Sequence, residues 1–432
     1  MSVRATELAT AAELARLLRS RELGAVEVVE AHLRRIEAVN PVINAVVALD
    51  AERALASAHE LDAGRGASGP LRGVPFTVKD NLEAAGLPMA IGDPERVGVV
   101  ADADATVVRR MREAGAILLG KTNCPPYGGG IETDNPVYGR TANPYDPART
   151  PGGSSGGEAA IVGAAGSPLG LGTDSGGSVR LPAHFCGLAA IKPTAGRVPV
   201  TGAIDDEGQI GALGDGRTQV GVLARAVEDV ALALRVVAGP DGRDGGLAPV
   251  ALGEPGAVDV AGLRIAVFGE LGDAHADAAT LGVLADAAGA LRDAGADVEE
   301  ATPPSGGHDL TVEVWSSYGD AAIGYGLLRR WDAYRARMLA WGERYDVLLS
   351  PVADGPAPLL GGLAGRDGVD PACFATPHSL TGWPVAIVRA GSSPEGLPIG
   401  VQLVARPWRD DIALAAAAAL ERALGGWRPP LL

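Results

Sequence analysis

Residues 152–182 place two glycine–serine turns on either side of a run of small and apolar residues. The segment reads GGSSGGEAAIVGAAGSPLGLGTDSGGSVRLP, and its second half repeats the theme of its first, because the apolar run LGLGTD breaks into SGGS. Glycines this dense would weaken a helix or a strand, since each loses more backbone entropy on folding than any other residue. The segment therefore predicts two tight turns whose backbone N–H groups converge on one point, which suits a phosphate or an oxyanion.

Short apolar runs alternate with amphipathic segments along most of the chain. Helices are predicted near 105–114, 277–294 and 410–424, and the apolar runs between and around them include GVPFTV, AILLG, LRIAVFG, YDVLLSP, WPVAIVRAG and LPIGVQLVA. Such alternation is typical of a layered α/β fold with a mostly parallel sheet. We expect an α/β protein with one central, mixed, mostly parallel twisted β-sheet that is flanked by helices on both faces.

The 432 residues are expected to form a single domain. It would comprise N-terminal helices at 1–62, a core that holds the glycine–serine turns at about 63–200, and the remaining sheet with a cover over the site at 201–432. A capping box, Thr10 with Glu13, begins the first helix, and Asn40-Pro41 predicts the end of the second. The loosest stretch, 240–258, is interpreted as a surface excursion.

Composition limits the partners of the chain. Its formal net charge is −16, and no block of lysines or arginines could neutralise a run of phosphates or an anionic bilayer. No stretch reaches the roughly 18 to 20 apolar residues that span a membrane, and the N-terminus lacks a secretory signal. The three cysteines and six histidines show no metal-ligand spacing. We expect a cytoplasmic protein with no nucleic-acid or membrane partner and with no metal or other cofactor.

The SGGS turn is a candidate site for nucleophilic catalysis. Ser178 ends the turn, where the backbone N–H groups of Ser175, Gly176, Gly177 and Ser178 could form an oxyanion hole. The other turn, GSSGG, matches the nucleophile-elbow pattern G-x-S-x-G with Ser155 at its centre. An elbow needs a strand directly before it, however, and NPYDPARTP contains three prolines. A histidine-based hydrolase is therefore disfavoured.

A lysine is the better candidate for the base. Lys79 ends the apolar run in LRGVPFTVKDN, so its amine is expected to point from the end of a strand into the protein. Burial lowers the pKa of a lysine, and a neutral amine is a competent general base. The alternative from the local sequence alone is a surface lysine paired with Asp80. Lys121 and Lys192 are rival lysines, for which we expect structural roles.

Several blocks together resemble the amidase signature family along nearly the whole chain. They are GVPFTVKDN, GRTANPYDPARTPGGSSGG, GLGTDSGGSVRLPAHFCGLAAIKPTAGRVP and LTGWPVAIV with GLPIGVQLVA. The resemblance implies a Ser-Ser-Lys triad, with Ser178 as the nucleophile, Ser154 as a bridging serine held through a cis peptide bond, and Lys79 as the base. It also implies that Ser155, Asp174 and Arg180 brace the two turns, and that no cofactor is needed.

The substrate pocket is the least determined part of the site. The loop CPPYGGGIE is expected to form one wall, and aromatic residues between 308 and 345 form either the other wall or core. The pocket candidates are Tyr127, Gly128, Gly129, Gly130, Trp315 and Tyr318.

The expected function is an amidase of the arylamidase or urethanase type. Its substrates would be small-molecule apolar or aryl amides, with esters and carbamates as further substrates, because the cover over the site looks shorter than in larger members of the family. Two alternatives stay open: a glutamine amidase subunit of a partner-dependent transamidase, and a binding module that cradles phosphate. A homodimer would suit this fold, although no residue in the sequence indicates one.

Overall fold

The computed structural model describes residues 6–206, 208–211, 215–272, 274–318, 323–362 and 370–432. The α-helices in these ranges are Ala11–Arg19 (α1), Ala25–Ile43 (α2), Ala51–Asp62 (α3), Thr106–Glu113 (α4), Gly156–Gly163 (α5), Arg180–Phe185 (α6), Val227–Val237 (α7), Ala278–Asp293 (α8), Gly307–Tyr318 (α9), Tyr325–Gly342 (α10), Pro377–Thr381 (α11) and Asp410–Leu424 (α12). The predicted helices near 105–114, 277–294 and 410–424 are confirmed.

The β-strands of the described residues belong to one large sheet and two small ribbons. The strands are Val46–Leu49 (β1), Pro75–Lys79 (β2), Ile117–Thr122 (β3), Leu169–Asp174 (β4), Ala189–Lys192 (β5), Ile204–Asp205 (β6), Gly208–Gln209 (β7), Gln219–Ala224 (β8), Arg264–Val267 (β9), Glu270–Leu271 (β10), Ala274–His275 (β11), Asp297–Glu300 (β12), Val347–Pro351 (β13), Val385–Ser392 (β14) and Pro398–Ala405 (β15). The large sheet has 11 strands in the order β1-β3-β2-β4-β8-β5-β14-β15-β13-β9-β12.

The predicted mixed α/β sheet is confirmed, but parallel pairing is less extensive than the alternation of elements suggests. Parallel pairs form one block at β3-β2-β4 and another at β13-β9-β12. The strands between these blocks pair antiparallel, as do β1 and β3 at one edge. The last two strands, β14 and β15, follow each other closely in the chain and so form a hairpin instead of adding another crossover.

Helices cover both faces of the sheet, as predicted. Successive side chains of a strand point to opposite faces, and the two hydrophobic cores divide accordingly: Val347 and Leu349 of β13 pack in one core, while Leu348 packs in the other. The first core is shared with α1, α4, α7, α8 and α12, and the second with α2, α3, α5, α6 and α10. The division of the chain into a single domain stays a prediction, which the run of one sheet from β1 to β15 supports.

The N-terminal helices follow the predicted start but not the predicted stop. Thr10 caps α1 through its hydroxyl, which accepts a hydrogen bond from the Glu13 amide at 3.1 Å. The second helix continues past Asn40-Pro41 to Ile43 and ends at Asn44, whose φ is 46°. Asn40 favours this extension, since its side chain accepts hydrogen bonds from the amides that follow the helix. No helix within the described ranges has both the length and the apolar character to cross a membrane.

Candidate active site

Two neighbouring parallel strands end at the same edge of the sheet and bring two of the motif-bearing blocks of the sequence together. Strand β2 pairs in parallel with β4, with Thr77 opposite Gly170. Lys79 therefore ends its strand beside Thr173 and Asp174, which end β4. Polar groups at the carboxyl ends of adjacent parallel strands commonly line a ligand crevice.

Lys79 is fully buried at this edge. Its Nζ lies 2.6 Å from Ser154 Oγ and 2.8 Å from Thr173 Oγ1. Burial lowers the pKa of Lys79 to about 8, so the amine loses its proton far more easily than an exposed lysine. The alternative of a surface lysine paired with Asp80 is wrong, because Asp80 forms its ion pair with Lys121.

Ser154 lies between the amine and the loop that was predicted as a pocket wall. The peptide bond between Gly153 and Ser154 is cis. A Cβ added to Gly128 would lie 3.5 Å from both Lys79 Nζ and Ser154 Oγ. The glycine loop therefore passes directly beside the lysine and the serine.

Ser178 and Ser155 are tied together through the backbone. The Ser155 amide donates to the Ser178 carbonyl oxygen at 3.0 Å, and Ser155 Oγ donates to the Thr173 carbonyl oxygen at 3.2 Å. Ser178 is 6% exposed, more than Lys79 or Ser154, at 0% and 2%. The two glycine–serine turns thus meet, and Ser178 is the member of the group with most access to solvent.

Asp174 and Arg180 form a fully buried ion pair beneath the second turn. Arg180 donates to Asp174 from Nε at 2.9 Å and from Nη2 at 2.7 Å. Burial alone would raise the pKa of Asp174, but the Arg180 guanidinium outweighs burial and holds that pKa at about 2. Asp174 also accepts hydrogen bonds from the amides of Gly177 and Val179 at 2.8 and 3.0 Å.

The contact with Gly177 alters the predicted set of oxyanion donors. The Gly177 N–H is directed at the Asp174 carboxylate, so it is not aimed at the centre of the turn in this structure. The sequence could not indicate this, because the carboxylate that claims the amide is placed by the ion pair with Arg180. The amides of Ser175, Gly176 and Ser178 stay as the predicted donors.

Trp315 is the one member of the aromatic cluster that the described contacts connect to the turn. Its half-buried indole lies over Gly176 so closely that a Cβ at that glycine would overlap the ring. The Arg217 guanidinium lies 5.7 Å from the centre of the same ring. By contrast, Trp331 and Tyr334 are core residues, and the side chain of Tyr318 lies outside the described residues.

The loop of the other predicted wall is held from behind. Tyr127 has a left-handed backbone with φ 52°, and its hydroxyl donates to Asp93. The carbonyl of Gly130 lies where a Cβ on Gly153 would be, so the loop packs against the cis peptide. Gly129 donates its amide to the carbonyl oxygen of Pro126 and belongs to the same turn.

Thr173 is the residue at this site that sequence reasoning missed. It lies within hydrogen-bonding distance of Lys79 Nζ, and Asn81 Nδ2 donates to its hydroxyl at 3.2 Å. A signal existed: Thr173 ends a buried strand directly before Asp174, so its side chain points to the opposite face from the carboxylate. The rival lysine Lys121 instead donates to backbone carbonyl oxygens at 2.8 and 3.0 Å, which fits a structural role.

Known proteins resemble this chain over nearly its whole length. The Amidase family profile matches residues 27–323 and 316–414. The chain is 36% identical to the acylamidase of Rhodococcus erythropolis over 464 residues, which cover 95% of this chain and 94% of that protein. It is 34% identical to the GatA-type subunit of the glutamyl-tRNA(Gln) amidotransferase of Symbiobacterium thermophilum over 481 residues, 96% of each protein.

Solved structures agree with the family profile. The structure of 6-aminohexanoate cyclic dimer hydrolase complexed with substrate matches with a TM-score of 0.86 and 32% sequence identity, over 98% of this chain and 99% of that one. The chain therefore belongs to the amidase signature family of hydrolases.

Proposed function

We propose that the chain cleaves carboxylic amides through an acyl-enzyme, with Ser178 as the nucleophile, Ser154 as the bridging serine and Lys79 as the base. The observation that carries the proposal is the 2.6 Å contact between Lys79 Nζ and Ser154 Oγ, at a fully buried amine whose pKa burial lowers. A neutral lysine amine is the form that can accept a proton. Ser155, Asp174 and Arg180 brace the two turns in this proposal.

The proposed reaction begins with the neutral amine. Lys79 accepts a proton from Ser154, which takes one from Ser178 as Ser178 Oγ attacks the substrate carbonyl carbon. The amides of Ser175, Gly176 and Ser178 stabilise the negative charge on the carbonyl oxygen. Ser154 then passes a proton to the departing nitrogen, and water attacks the acyl-enzyme through the same relay in reverse.

We propose apolar or aryl amides as substrates. The half-buried Trp315 ring beside Gly176 supports this choice, because an indole offers a flat apolar surface for a planar group. The alignment with the Rhodococcus acylamidase spans more positions than this whole chain has residues, which supports a shorter cover over the site. We extend the proposal to esters and carbamates, whose carbonyl carbon accepts the same attack.

The alternative function is the glutamine amidase subunit of a partner-dependent transamidase. It is favoured by the 34% identity to the Symbiobacterium amidotransferase subunit over 96% of each protein. In that role the chain would release ammonia from glutamine for a partner enzyme, and it would be sluggish when purified alone. The two functions differ in the amide that is cleaved, so a substrate panel separates them.

Location and assembly form part of the same proposal. We propose a cytoplasmic enzyme, because Cys124, Cys186 and Cys373 are buried free thiols and disulfides are rare in that compartment. We propose a small-molecule substrate and a homodimer; sedimentation velocity on the purified chain tests the homodimer.

The test is a hydrolysis assay across N-acyl 4-nitroanilides, primary amides, glutamine, 4-nitrophenyl esters and N-aryl carbamates. We expect turnover of the anilides that is lost in Ser178→Ala and retained in Ser57→Ala, which changes an exposed serine of α3. Turnover of glutamine alone would favour the transamidase role. Turnover that survives in Ser178→Ala would refute the proposed nucleophile.

A further inference from the structure

Glu158 is a fully buried carboxyl group that the proposed reaction does not use. It lies in the first turn of α5 and reaches the face of the sheet formed by β2, β3 and β4. Thr122 of β3 donates to Oε2 at 2.7 Å, and the hydroxyl of Thr77 on β2 bonds Oε1. Gly170 of β4 makes the space, because a Cβ there would overlap Oε1. Three strands therefore enclose this one carboxyl.

The same face of β2 carries the proposed base. Thr77 and Lys79 are two residues apart on one strand, so their side chains point the same way, and their Cα atoms are roughly 6 to 7 Å apart. The titratable groups that act on Lys79 are the Cys124 thiol after β3, Asp174 of β4 and Glu158 of α5. An ionised Glu158 would stabilise the ammonium form and so keep the base protonated.

Asp174 and Glu158 are equally buried but have very different partners. Asp174 receives a guanidinium and backbone amides, and it is the ionised group described above. Glu158 receives threonine hydroxyls, and burial raises its pKa to about 8. A buried carboxylate requires a cation or several N–H donors, whereas a hydroxyl can accept a hydrogen bond from a neutral acid as well as donate one. The dipole of α5 favours the ionised form, but by less than burial of an unpaired charge disfavours it.

We propose that Glu158 is a positioning residue that acts as a neutral carboxylic acid. It ties Thr77 and Thr122 together beneath the base, and it withholds the negative charge that would keep Lys79 protonated. This role rests on the proposed function, in which neutral Lys79 accepts the proton. Glu158 acts on the reaction through Lys79.

The protonated state can be measured without any assay of activity. The infrared carbonyl stretch of a carboxylic acid is separate from the carboxylate bands, so the difference spectrum of wild type and Glu158→Gln isolates this one group. We expect a carboxylic-acid band at pH 6 that is missing from the variant and fades as pH rises through about 8. Asp229→Asn, at another buried carboxyl, is the control and should leave that band in place. A difference spectrum without the band at pH 6 would overturn the proposal, whatever the enzyme hydrolyses.

The effect on Lys79 is read from the pH dependence of Ser178 labelling by a fluorophosphonate. Glu158→Gln keeps the carboxamide shape without a charge, so we expect its labelling rate to stay within about threefold of wild type, with the acidic limb unmoved. An ionised Glu158 would instead make the acidic limb of Glu158→Gln move about one pH unit lower. Failure of wild type to label at Ser178 would refute the proposed function, and the infrared result would still decide the state of Glu158.

The positioning role predicts a loss that the glutamine variant does not show. Glu158→Ala removes the link between the two threonines, and we expect its labelling rate to fall about 100-fold, as a displaced reactive group requires. If that variant does not fold, Thr122→Val removes one of the two links and should slow labelling about tenfold, with Thr122→Ser restoring it. Labelling at the wild-type rate in Glu158→Ala or in Thr122→Val would overturn the positioning role.

Discussion

The indole of Trp315 lies directly over Gly176, with no room for a Cβ between the ring and the turn. This contact connects α9 to the segment that carries Ser178. Gly176→Ala should therefore displace either the ring or the turn, and we expect kcat/KM to fall about 100-fold. Adding Trp315→Ala should recover part of the loss, which a double-mutant cycle measures. Gly289→Ala, where a Cβ meets nothing within 4 Å, serves as the control, and additive losses in the double variant would contradict a direct contact.

Trp315 is also expected to decide substrate preference. Trp315→Ala removes a flat apolar surface, so we expect kcat/KM for an anilide to fall about tenfold relative to a primary alkyl amide, mostly through KM. Trp341→Ala is the matched control, because that ring packs against Tyr345 with the ring centres 4.9 Å apart. An unchanged ratio of anilide to alkyl amide in Trp315→Ala would place the aryl group elsewhere.

The pKa of Lys79 predicts the acidic limb of the pH profile. Because burial lowers that pKa to about 8, kcat/KM should rise as pH increases through about 8, where the ammonium loses its proton and becomes a base. Lys79→Ala should reduce the rate by roughly 10²- to 10⁴-fold and abolish the limb. A limb that persists in Lys79→Ala belongs to another group.

Thr173 should tune this limb, since its hydroxyl lies 2.8 Å from Lys79 Nζ. The hydroxyl oxygen can accept a hydrogen bond from the ammonium, so Thr173→Val should destabilise the charged form and move the acidic limb to lower pH. Thr173→Ser keeps the hydroxyl and should behave as wild type. Identical profiles for the valine and serine variants would show that the hydroxyl has no effect on the base.

The Asp174–Arg180 pair should appear in measurements of stability. The pKa of Asp174 is about 2 in the folded chain and roughly 3.9 when unfolded. Below about pH 4 the unfolded state therefore binds more protons than the folded state, so the stabilisation is complete above pH 4 and is lost as pH falls towards 2. Arg180→Met leaves a buried unpaired carboxylate and should cost about 3–5 kcal/mol in urea unfolding at pH 7.

A surface pair provides the control for this measurement. Arg140→Met breaks the half-exposed ion pair with Asp134 and should cost less than about 1 kcal/mol. Equal losses of unfolding free energy for the two arginine variants would contradict the role assigned to burial.

Much of the fold could be predicted because its signals are local. The run FTVK before Asp80 indicates a buried strand whose last residue is Lys79, and the structure places that strand at residues 75–79. The glycine–serine turns were likewise identified from composition alone. The helix past Pro41 was missed, because the side chain of Asn40 stabilises its end in a way that spacing does not reveal.

The site itself depended on contacts between distant segments. The sequence determined that a lysine ends one buried strand, that two serines occupy glycine-rich turns, and that the chain resembles the amidase signature family. Only the tertiary structure decided that Thr173 contacts the lysine, that Asp174 takes the Gly177 amide, and that one aromatic of the 308–345 cluster covers the turn. The physical reason is that strand periodicity and turn propensity are properties of neighbouring residues, whereas the partners of a buried polar group are set by which strands are adjacent in the sheet.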